Sequence, residues 1–149
     1  MTLTKSISDV IQGNPITAGY QPVKAEVSLL ITELDAGQNS VGYKAGTGGT
    51  VVQITSKTTG VTLSLDAGRI TTQAAALAAN TTVRFTVTNT GMVNVDVPLL
   101  AIQSPASKYR VWVDSVATGS FVVALENVTG GSLSEAVLIN FTRMTGSTT

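Results

Sequence analysis

From residue 83 onward, apolar and polar side chains alternate with a period of two. Val83, Phe85 and Val87 share one face, and Arg84, Thr86 and Thr88 share the other. Val93, Val95, Val97 and Leu99 alternate with Asn94, Asp96 and Pro98. Tyr109, Val111 and Val113 oppose Arg110, Trp112 and Asp114. Phe121, Val123 and Leu125 oppose Val122, Ala124 and Glu126, and Val137, Ile139 and Phe141 oppose Leu138, Asn140 and Thr142. Each run has the signature of a half-buried strand, because successive side chains of a pleated strand point to opposite faces. With β-favouring segments at 50–55, 61–65 and 69–72, the pattern predicts about eight strands at short, regular spacing.

The turns between them are chemically explicit. Thr59-Gly60, Asp66-Ala67-Gly68, Asn89-Thr90-Gly91, Thr118-Gly119-Ser120 and Thr129-Gly130-Gly131-Ser132 supply residues that tolerate positive φ at a reversal. The Ala-rich stretch 73–80 reads as a connection bridging two sheets rather than as a helix. The expected fold is therefore all-β: an antiparallel β-sandwich with jelly-roll or Greek-key connectivity.

Residues 1–41 follow another pattern. Asn14-Pro15 and Gln21-Pro22 interrupt regular structure, so the first 21 residues read as an extended arm. From Pro22, Val23, Val27, Leu30 and Leu34 recur at spacings of four, three and four, as on a short helix with Pro at its first position and Gly37 past its end. The run from Val27 through Leu29, Leu30 and Ile31 reads equally as a strand. Gly42, Gly46, Gly48 and Gly49 separate this arm (1–41) from the β-domain (42–149). Its apolar residues need a surface to pack on, so Val23, Val27, Leu29, Leu30 and Leu34 are the expected contacts to a partner or a second copy.

Composition narrows the chemistry. Among 149 residues there is no His and no Cys, which removes imidazole bases, serine triads, thiolate nucleophiles, disulfides and thiolate metal sites. Nine Lys plus Arg balance nine Asp plus Glu, which argues against nucleic-acid binding, since that needs clustered cations. Only 12% of residues are charged, yet mean hydropathy is positive. A surface of Thr, Ser, Asn and Gly suits a protein inside an assembly. No apolar leader or spanning segment is evident, so synthesis in a cytoplasm and no membrane partner are expected.

Individual constellations are weak. In Ser56-Lys57 and Ser107-Lys108 the two side chains are adjacent and diverge on a strand. Asp96, Asp114, Glu126 and Glu135 are carboxylates of the right type for acid–base hydrolysis, but most fall at outward or turn positions. Asp66 and Asp114 lack the alternating ligands of a calcium loop. Gly46-Thr47-Gly48-Gly49-Thr50 lacks the Lys-Ser/Thr of a phosphate cradle. The Asn80, Asn127 and Asn140 triplets match a glycosylation pattern by chance in a Thr-rich chain. No catalytic, cofactor or metal residue is expected. Trp112 has two readings. Outward beside Arg110 and Asp114, with Tyr109 nearby, it suits a protein interface or a sugar-stacking platform; buried, it is core.

Gly46-Thr47-Gly48-Gly49-Thr50-Val51-Val52-Gln53-Ile54 within residues 42–63 is similar to a module of tailed bacteriophages and prophages. So are Gly68-Arg69-Ile70-Thr71, Ala75-Ala76-Leu77-Ala78-Ala79, Phe85-Thr86-Val87-Thr88-Asn89, Gly119-Ser120-Phe121 and Gly130-Gly131-Ser132-Leu133-Ser134-Glu135 running on to Phe141. The likeness covers about residues 42–142. It implies a non-enzymatic virion structural domain, commonly a homotrimer anchored by its N-terminal part. Without a long coiled-coil shaft, a capsid decoration (cement or head-fibre) protein fits better than a tail fibre. The partners implied are copies of itself and the major capsid protein, with a host-surface glycan as the alternative for a fibre tip. The location implied is the virion, assembled in the host cytoplasm.

Overall fold

The structure, a computed structural model, describes Tyr43 and residues 47–147. The 1–41 arm and its contacts Val23, Val27, Leu29, Leu30 and Leu34 lie outside the described residues. Those described are all-β and contain no helix. Eight strands follow in order: β1 Gly48–Val52, β2 Val61–Thr62, β3 Ala67–Thr71, β4 Thr82–Thr88, β5 Val97–Ser104, β6 Tyr109–Ala117, β7 Ser120–Asn127 and β8 Leu138–Met144. They form two four-stranded sheets, β1-β3-β8-β5 and β2-β4-β7-β6.

Both sheets bury one face against a shared apolar cluster, a sandwich-like packing. The first contributes Ile70, Ile139 and Phe141, the second Phe85, Val87, Phe121, Val123 and Leu125. Phe121 and Phe141 meet across the layers with ring centroids 5.6 Å apart. These are the inward residues of the period-two runs, and burial of such large side chains stabilises by about 1.5–3 kcal/mol each.

The sheets are mixed, which corrects the antiparallel expectation. β1 runs parallel to β3, and β2 parallel to β4; the other pairings are antiparallel. The cause is the path of the chain. It changes sheet at the connections from β1 through β6, so strands two apart in sequence become neighbours with the same direction. Among the described elements only β6 and β7 form a hairpin, through Thr118 and Gly119, where Gly119 adopts φ +85°. The stretch 73–80 does connect the two sheets, held to the opposite connection by an antiparallel bridge between Leu77 and Leu133.

Close approach explains one glycine pair. Gly49 lies opposite Gly68; Leu63 and Leu65 cover the inner side of Gly49, and Leu63 and Phe141 that of Gly68. A Cβ on Gly68 would stand 2.6 Å from Leu63 Cδ2 and 2.8 Å from the Gly49 carbonyl oxygen. No larger residue fits there without moving β1 away from β3.

The second correction concerns residues 93–99. They are not one strand, and β5 presents the opposite face from the expected one. Pro98 is buried and Val97 and Leu99 are each 50% exposed. Residues 89–96 instead form consecutive tight turns. Asn89 Oδ1 accepts from the Gly91 N–H (3.1 Å), and the N–H of Asp96 is donated to Val93 O (3.0 Å). Asp96 itself turns inward, so the strand starts one position out of the expected phase. Pro98 lies opposite Arg143, whose N–H is donated to Asp66 O on the β3 side. The missing Pro98 N–H therefore faces the open edge of the sheet, where proline is tolerated.

Candidate functional site

On the outer face of the second sheet, the register aligns Arg84, Ala124 and Trp112 in one row and Arg110 opposite Glu126 in the next. Trp112 is half-buried and absent from the shared core cluster, on the face opposite Tyr109 and Val111. Two ion pairs flank it: Arg110 Nη1 to Glu126 Oε2 (3.0 Å) and Arg84 Nε to Asp114 Oδ1 (3.0 Å). The second pair spans β7. It does so because a bulge between Val113 and Ser115 leaves Asp114 without a partner on that strand. Tyr109 does not belong to this surface. It is buried among the core residues, and its hydroxyl meets no acceptor among the described residues. Alternation had put it on the opposite face from Trp112, and the fold keeps it there.

At one end of the first sheet, Arg143 gathers two acids. Its Nε donates to Asp66 Oδ1 (2.9 Å) and its Nη1 to Asp96 Oδ2 (3.0 Å), and it also reaches the carbonyl oxygen of Gly91. Asp96 has a fully buried side chain. It accepts from the N–H groups of Val93 and Gly146, each at 3.0 Å. The Val93 N–H, followed by those of Gly146 and Arg143, holds its carboxyl below the usual range against the opposing effect of burial. Tyr43 closes the group by donating its hydroxyl to the Arg143 carbonyl oxygen. This is a structural knot in which one guanidinium serves both carboxylates.

The remaining candidate acids and bases are also engaged. Glu135 pairs with Lys108 (2.9 Å), whose ammonium keeps the Glu135 carboxyl below its ordinary value. Lys57 is buried. Its ammonium donates to the carbonyl oxygens of Gln73 (2.6 Å) and Glu135 (2.8 Å) and faces the Thr72 hydroxyl (3.4 Å). Burial pushes the Lys57 ammonium down in pKa, partly offset by the Glu135 charge. Ser56 turns to Thr58 and Thr59 instead. Asn127 is fully buried with its amide committed inside the fold, which removes it as a glycan acceptor. Among the described residues no three acidic or other metal-ligating side chains gather.

The outer face of the first sheet was not singled out by the sequence pattern. Its rows are Gly48, Ala67, Thr142 and Leu99, then Thr50, Arg69, Asn140 and Ala101, with Met144 opposite Val97 at the end. Val52 is 59% exposed, Met144 55%, and Val97 and Leu99 50% each. Arg69 at the centre is the only charge on these rows. Its Nε donates to Asn140 Oδ1 (3.2 Å). One signal in the sequence points to this face once the fold is known: Asn89-x-Gly91 as a turn that resets the phase of β5.

No protein-family model matches the chain, and no curated protein or solved structure matches it.

Proposed function

We propose that this chain is a non-enzymatic virion structural protein of a tailed bacteriophage, a capsid decoration (cement or head-fibre) protein that binds and stabilises the head shell. The observation that carries this reading is the outer face of β1-β3-β8-β5. It is open, nearly uncharged and apolar at Val52, Val97, Leu99 and Met144, as a surface made for docking on protein is. The described acids are all engaged with cations, which fits a scaffold better than acid–base chemistry. The likeness of residues 42–142 to phage modules supports the same class, with homotrimeric assembly, the major capsid protein as partner and the virion as location.

The reading extends to connectivity of the Greek-key kind. In its favour, β7 lies beside β4 and β8 returns beside β5 while the intervening strands cross between sheets. The second reading, a fibre-tip module recognising host glycan, is favoured by one feature alone: the outward Trp112 between two ion pairs, a stacking platform with polar neighbours.

The test is addition of the purified chain to heads prepared without it. Decorated heads are expected to retain their DNA at a higher temperature than bare heads. Heads that neither bind the chain nor gain heat resistance contradict the reading.

A further inference from the structure

The end strands of the two sheets are β1, β5, β2 and β6, and all but β1 are poorly suited to pairing with another chain. β5 carries Pro98 at its open edge, β6 carries Arg110 and a bulge between Val113 and Ser115, and β2 has only two residues. β1 has none of these features. From Gly48 to Ile54 there is no charge and no proline, and the register of β1 against β3 is unbroken. Val52 and Ile54 are exposed.

The backbone of β1 is set for a further strand. The Gln53 N–H is donated to Thr71 O (2.9 Å), so by alternation Gly49, Val51 and Gln53 turn their backbone groups toward β3. Gly48, Thr50 and Val52 turn theirs to the open edge. Those of Thr50 and Val52 meet no partner among the described residues.

We propose that this edge is an interface between two copies of this chain, with β1 pairing antiparallel to β1 of the second copy about a two-fold axis at Thr50. The strand is complementary to itself in that register. Thr50 opposes Thr50, a favourable cross-strand pair. Val52 opposes Gly48 on one face and Val51 opposes Gly49 on the other, so each valine lies over a residue without a side chain. The groups turned outward by Gly48, Thr50 and Val52 form about six backbone hydrogen bonds, two for each facing pair. No like charges meet. Leu65, exposed beside Gly49, gains cover from the Val51 of the second copy. Thr50 is the middle residue of β1, so an axis at Gly48 or Val52 would carry the pairing past the end of the strand.

Such a contact is isologous and closes with two copies. It does not build the homotrimer of the decoration reading; it joins chains of separate trimers, and it stands independently of that reading. Five residues from each strand make a weak contact alone, which strengthens where copies are held close together.

The chain has no cysteine, so single-cysteine variants of the full chain read the geometry directly. Facing residues of a hydrogen-bonded antiparallel pair have Cα atoms about 5.5 Å apart, within disulfide reach. Under mild oxidation Thr50→Cys is expected to run as a covalent dimer on a non-reducing gel. Val52→Cys is expected not to, because its two copies would stand about 14 Å apart. Adding Val52→Pro to Thr50→Cys removes an N–H that only the second copy uses, and should slow linking at least about tenfold without lowering the melting temperature. Val52→Lys repeats this test with a charge on the edge and the backbone donor intact. Thr50→Cys that stays unlinked, or links no faster than Val52→Cys, overturns the inference and leaves the decoration reading standing. Linking that proceeds unchanged with both second substitutions overturns it as well.

Discussion

Replacing Arg143 with methionine is expected to destabilise the β-domain by on the order of 3 kcal/mol, because it leaves a buried carboxylate without its cation. Asp96 has no exposed side-chain surface and would keep only the Val93 and Gly146 N–H groups. Asp66 would lose its side-chain partner as well, while the Arg143 backbone N–H would still be donated to Asp66 O. Chemical denaturation followed by tryptophan fluorescence measures the change. A variant as stable as wild type would mean that the turn N–H groups alone hold Asp96.

Asp96 and the separate Glu135–Lys108 pair give stability an acid limb. The folded-state pKa of Asp96 lies below its ordinary 3.8, and that of Glu135 below 4.5. The unfolded chain therefore binds more protons than the folded one just below those values, and stability falls as pH is lowered through them. The contribution is complete above about pH 4.5, so the melting temperature is expected to be level toward neutrality. Substituting Asp96→Asn should make the acid limb shallower.

Asn127→Ala is the second large effect, about 3 kcal/mol, since each buried polar group left unpaired costs about 1–3 kcal/mol. The Asn127 amide donates to the carbonyl oxygens of Leu77 (3.0 Å), Ala78 (3.1 Å) and Gly131 (2.7 Å). Its oxygen accepts from the N–H (2.9 Å) and the hydroxyl (2.8 Å) of Thr129. One side chain thus ties the 127–131 turn to the sheet-to-sheet connection. Asn127→Asp is expected to be worse than Asn127→Ala despite its closer shape, because it turns two donors into an anion facing three carbonyl oxygens. If the Asp variant proved the more stable, shape rather than hydrogen bonding would explain the site.

Asn127 also marks where reading the sequence stops. Period-two alternation identified the inward faces of β4, β6, β7 and β8, because apolar burial is written at every second residue. It placed Trp112 with Arg110 and Asp114 on one face, and that face is the outer one. Alternation carries no information about pairing, so the parallel neighbours β1 with β3 and β2 with β4 were not legible. Those depend on where the chain changes sheets. Asn89 and Asn127 looked like turn or surface residues, and Gln53 was not singled out, yet each is buried and spans segments distant in sequence: Gln53 Oε1 accepts from the Gln73 N–H, and the Asn89 amide donates to Leu65 O. The phase of β5 failed for a related reason. Val93, Val95, Val97 and Leu99 mimic a strand, but Asp96 is drawn inward by an arginine 47 residues later in the chain. That inversion is what turns Val97 and Leu99 outward.

The most direct measurement is the copy number of this chain in purified virions, by quantitative mass spectrometry against the major capsid protein. A ratio near stoichiometric with the shell is the result predicted for a decoration protein. A handful of copies per particle would contradict it and move the chain to a tail or fibre tip, with Trp112 at its recognition surface.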